Sequence, residues 1–61
     1  MMKVGDLVRW AHDGDIGIVT YTAPYLAEPG YVTHVTIQWN HAEEGPVPVG
    51  HPMLEIINES R

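Results

Sequence analysis

The sequence predicts a small all-β domain, an antiparallel barrel or sandwich of four or five short strands. Three observations predict it. Short apolar, β-branched runs recur between Gly- and Pro-containing turns. Val35, Ile37 and Trp39 alternate with His34, Thr36 and Gln38, the period of a strand with one wet face. No apolar stripe of period 3.6 and useful length occurs, so no helix of three turns is expected.

The elements follow in order. Val4-Gly5-Asp6 reads as a turn into a first strand, Leu7 to Trp10. Asp13-Gly14-Asp15 closes a loop and runs into the second strand, Ile16 to Tyr21 or Thr22, because Asp-Gly between apolar runs favours a hairpin. Gly17 inside that strand marks a bulge, a bend or the close approach of another backbone. Residues 23–30, with Pro24 and Pro29, read as an irregular connection, since proline removes a ladder donor. Tyr31 to Trp39 is the clearest strand. Residues 40–46 form an acidic loop, and Val47-Pro48-Val49 suits an edge strand. His51-Pro52-Met53 reads as a single tight turn or bend, Leu54 to Ile57 as the closing strand, and 58–61 as a frayed tail. The expected core is Val4, Leu7, Val8, Val19, Val35, Ile37, Leu54 and Ile56, with Ile18 and Trp39 partly inside. The whole chain, 1–61, is one domain.

Charge narrows the function. Eight acids stand against three bases, for a net charge of −5. Lys3, Arg9 and Arg61 do not cluster, so phosphate neutralisation has almost nothing to work with. Direct binding of nucleic acid and docking on an anionic membrane are both disfavoured. No leader and no membrane helix are expected, which places the protein in the cytoplasm, or in a virion if a phage encodes it. Cysteine is absent, so disulfides cannot support a core this small. A metal or a partner subunit could.

Catalytic constellations are missing. Ser60, the lone serine, lies in the tail, and there is no thiol nucleophile. Asp13 with Asp15, and Glu43 with Glu44, are carboxylate pairs whose positions turn chemistry and solubility explain. Asp13-x-Asp15 is too short for a calcium loop. His12, His34, His41 and His51 lack zinc spacing, although the loops carrying His12, His41 and His51 could approach one another. No catalytic residue, metal or cofactor is expected.

The aromatic residues Trp10, Tyr21, Tyr25, Tyr31 and Trp39 are the interaction candidates, because indoles and phenols dominate interface energetics. Two roles stand open for them. They could form a patch that grips a proline-rich peptide or a neighbouring subunit. Alternatively, Trp10 and Trp39 fill the ends of a barrel while the tyrosines cover loops. The His34-Thr36-Gln38 face is a candidate subunit contact.

Four segments carry a family resemblance: Val4-Gly5-Asp6-Leu7-Val8, Gly14-x-x-Gly17-x-Val19, Val35-x-Ile37-x-Trp39 and Leu54-Glu55-x-Ile57. Together they resemble the Src-homology-3-like (SH3-like) small barrel in its KOW-type variety, which implies a five-stranded antiparallel barrel. The chain also resembles short barrel proteins of tailed bacteriophages, a resemblance that implies no established activity. Nucleic-acid-binding KOW modules carry basic loops, and this chain is acidic. Peptide-binding members of the wider family carry an aromatic-rich segment that is missing here. The expected function is therefore a non-enzymatic protein–protein interaction or assembly module that self-associates or holds a protein partner. The alternative is an acidic decoy for the basic, nucleic-acid-binding surface of another protein.

Overall fold

The computed structural model describes residues 2–25 and 28–58; the side chains of 24–31 lie outside that description. It is all-β. Five strands, β1 (Leu7–Trp10), β2 (Ile16–Tyr25), β3 (Glu28–Trp39), β4 (Glu43–Pro48) and β5 (Leu54–Asn58), form one barrel-like sheet. Their order is β4-β3-β2-β1-β5, and every pairing is antiparallel. The sandwich alternative is set aside, because one sheet holds all five strands. Among the described residues there is no helix long and apolar enough to cross a membrane.

The core sits on the concave face. Met2, Val8, Val19, Val35, Ile37, Trp39 and Leu54 are buried, and Trp10, Val32, Val47 and Val49 pack against them. Alternation along the strands selects this set: Val8 and Trp10 share a face, as do Val35, Ile37 and Trp39. Three residues expected inside are exposed, namely Val4, Ile18 and Ile56, and Leu7 is half-buried. The register gives the reason for Ile18. It stands opposite Leu7 and Gln38, on the convex side, where a β-branched residue suits the strand without entering the core. Val4 sits in a turn, and Ile56 stands opposite Val8 on the edge strand, where nothing closes over it completely.

Entry into β1 depends on Asp6. Asp6 N–H donates to Lys3 O at 3.1 Å, which closes a tight turn whose third residue, Gly5, has φ 96°. That backbone region favours glycine. The Asp6 side chain is fully buried and accepts from the Lys3 backbone N–H at 2.9 Å and from Lys3 Nζ at 3.3 Å. Asp6 O in turn accepts from Val19 N–H, and Gly5 N–H donates to Val19 O. The turn is thereby fastened to the centre of β2.

The β2–β3 hairpin is longer than expected. Residues 23–25 and 28–30, read from sequence as an irregular connection, belong to strands. The two prolines still leave their mark, since the register shifts between Ala23 and Pro24 and again between Pro24 and Tyr25. β1 covers β2 only from Ile16 to Ile18, and the β4 register on β3 begins at His34. The far end of the hairpin therefore extends beyond the sheet, along a molecule of 34 × 22 × 19 Å.

The acidic loop is also partly strand. Glu43 and Glu44 open β4, paired with Gln38 and Ile37. Gly45 lets β4 close on β3: a Cβ there would lie 2.7 Å from Thr36 Oγ1 and 2.8 Å from Thr36 Cα. Gly45→Ala is expected to cost about 1–2 kcal/mol, the range for a modest overpacking that an edge strand relieves by shifting. Thermal unfolding of the variant checks this.

Candidate functional site

Two inward-facing positions at strand ends build the site. Trp10 ends β1 and Trp39 ends β3, so both indoles reach the same mouth of the barrel. They meet edge to face, with centroids 6.4 Å apart and planes at 81°. His51, from the turn before β5, lies against Trp10 with centroids 4.7 Å apart and planes tilted by 39°. Its Nδ1 accepts the Met53 backbone N–H at 3.1 Å, which fixes the ring. The β1–β2 turn is pinned beside them by Trp10 N–H to Asp15 O and Gly14 N–H to Trp10 O.

These rings line an open groove of about 520 Å³. One wall is the β1–β2 turn, with Asp13 and Asp15, together with His41. The other is β4, with Glu44 and the run Gly45 to Pro48. Strand alternation divides the Glu pair: Glu44 lines the groove, whereas Glu43 lies on the opposite side and accepts from Thr20 Oγ1 at 3.4 Å. Three carboxylates thus rim the groove, and among the described residues no Lys or Arg lines it. Asp13 also accepts the Asp15 N–H at 3.1 Å, an Asx turn that aims both carboxylates from one short loop.

Trp39 is the unusual member. Its side chain is almost wholly buried, 5% exposed, yet its Nε1 has no hydrogen-bond acceptor. A buried indole N–H ordinarily finds a partner. The Trp39 ring lines the groove, while its Nε1–H is shut off from solvent and finds no acceptor among the described residues.

Of the five aromatic candidates, the structure brings Trp10 and Trp39 together. Tyr21 is exposed on β2 at 61% and does not line the groove. The side chains of Tyr25 and Tyr31 lie outside the described residues. Trp39 fills the barrel end, and Trp10 stays half-buried beside it. His41 and His51 share the groove, but His12 does not line it. Among the described residues no three His, Cys, Asp or Glu side chains are grouped to hold a metal ion. Sequence reasoning passed over Asp13, Asp15, Glu44 and His51 as binding residues. The signal for them is the return of the chain at 44–51 to the turn at 11–15, which strand order supplies and spacing alone does not.

Compared with protein-family models, with curated proteins and with solved structures, the chain finds no match.

Proposed function

We propose that the protein is a non-enzymatic binding module whose groove takes an extended, positively charged segment of a partner protein. One observation carries the reading: a groove lined by the indoles of Trp10 and Trp39 is rimmed by three carboxylates, with no Lys or Arg among its described lining residues. An Arg or Lys stem lies along Trp10, where its cation also gains from the ring face. Asp13, Asp15 and Glu44 receive the charge.

The test uses arrayed extended peptides that carry none to three Arg or Lys residues. Affinity is expected to rise with cation count, and Trp10→Ala to weaken the best binder about 30-fold, the loss of one aromatic anchor worth about 2 kcal/mol. Binding that ignores both changes contradicts the reading.

A second reading is favoured by the overall charge of −5. An acidic surface of this kind can occupy the basic face of a nucleic-acid-binding protein. That decoy would keep its affinity in Trp10→Ala and lose it steeply with added salt, because exposed charges are screened within about 10 Å at 0.1 M. Groove binding behaves in the opposite way on the first count.

A further inference from the structure

We infer that the convex face of β5, β1 and β2 is a two-fold interface with a second copy of this chain. The register lays out two rows across this face. Ile16, Arg9 and Glu55 form one, and Ile18, Leu7 and Asn58 form the other. Ile57 stands at the bulge where the β1–β5 pairing shifts. Ile16, Ile18 and Ile57 are 42%, 41% and 46% exposed, so these strands carry three large exposed apolar side chains and one ion pair.

That ion pair identifies the occupant. Arg9 Nε and Nη2 both donate to Glu55 Oε1, at 3.0 and 2.8 Å. Both bonds therefore converge on Oε1, and among the described residues Oε2 is left for a second donor. A base and an acid side by side on an apolar surface are their own complement under a two-fold axis: Arg9 of each copy reaches Glu55 of the other. In an isologous interface each contact occurs twice. Within these two rows the described charges cancel, which keeps repulsion between two copies low on a chain of net charge −5. The edge strand agrees. β4 carries Pro46 and Pro48, whereas β5, Leu-Glu-Ile-Ile-Asn, contains no proline to block a further strand. A stable dimer needs about 600–800 Å² from each copy. That is under a fifth of the 4163 Å² this molecule exposes.

This face is distinct from His34-Thr36-Gln38, the contact expected from sequence, and from the groove. Sedimentation equilibrium from micromolar to millimolar protein is the test. Wild type is expected to reach twice the monomer mass. Ile18→Lys and Ile57→Lys, both at exposed positions, are expected to raise the dimer dissociation constant at least tenfold, and Trp10→Ala to leave it unchanged. Arg9→Glu and Glu55→Arg are each expected to remain monomeric alone and to form a dimer when mixed, since the pairs then match across the axis. The mixture reads contact between copies and not the folding of either variant. A wild type that stays monomeric to millimolar concentration overturns the inference. So do lysine variants that dimerise like wild type, or a mixture that associates no better than its components.

Discussion

Gly17→Ala is expected to destabilise the protein by about 3 kcal/mol, at the upper end of the range for overpacking a filled core. A Cβ at Gly17 would lie 2.6 Å from Ile37 Cγ2, 2.7 Å from Trp39 Cε3 and 3.0 Å from the Gln38 carbonyl oxygen. The first two belong to buried side chains and the third to backbone, so no neighbour yields without moving β3. Gly17 pairs with Val8 on one side and Trp39 on the other, at the centre of the sheet. A domain of this length has a total stability of about 3–9 kcal/mol, so the loss takes a large fraction of it. Because Trp39 is the side chain displaced, the groove floor moves as well. Thermal or urea unfolding reads the first effect, and peptide binding below the midpoint reads the second. A variant with wild-type stability would show that the β2–β3 contact is looser than described.

Asp6→Ala is expected to cost about 2–3 kcal/mol, the range for a lost hydrogen bond to a charged group. The carboxylate is fully buried and holds both the backbone N–H and the ammonium of Lys3. Its removal orphans the Lys3 N–H and frees the turn that fixes Gly5 and Asp6 to Val19. Lys3 itself is 44% exposed along its side chain, so its charge returns to water and adds little to the loss. The expected change in melting temperature is about 4–8 °C per kcal/mol for a domain of this size. Lys3→Ala removes only the exposed partner and is expected to cost less than 1 kcal/mol. Equal losses in the two variants would contradict the division made here between the backbone bond and the ion pair.

Much of the fold was legible in the chain. The alternation of Val35, Ile37 and Trp39 against His34, Thr36 and Gln38 gave β3 and its buried face correctly, and the turn at Asp13-Gly14 gave the β1–β2 hairpin. Val47-Pro48 was rightly placed at an edge. Gly17 was read as a bulge, a bend or a close approach, and close approach is what the structure shows. What failed depends on tertiary context. Strand periodicity tells which residues share a face but not which face turns inward, and so Ile18 was placed partly inside; Ile56 shares the face of Val8 but stands on an edge strand, which periodicity does not show. Proline rules describe single ladders, and a hairpin that shifts register at Pro24 escapes them. The Asp in Val4-Gly5-Asp6 read as ordinary turn chemistry, although its carboxylate is buried.

The site was legible only in its aromatic half. Trp10 and Trp39 were singled out because indoles anchor interfaces. Their rim was missed because Glu44 is far in sequence from Asp13 and Asp15 and each acid has a local explanation. The sheet order brings them together. It also separates Tyr21, which the composition alone grouped with the tryptophans.

The most direct measurement follows the two indole N–H resonances in a ¹⁵N-labelled sample during titration with an arginine-bearing extended peptide. Trp10 and Trp39 are the chain's two tryptophans, so each signal reports on the groove. Both indole N–H signals are expected to shift on binding because both rings line the groove, with Trp39→Phe weakening the complex while preserving the fold. A peptide that binds with both indole signals unmoved, or that shifts only residues of the convex β5-β1-β2 face, would contradict the assignment of this groove as the binding site.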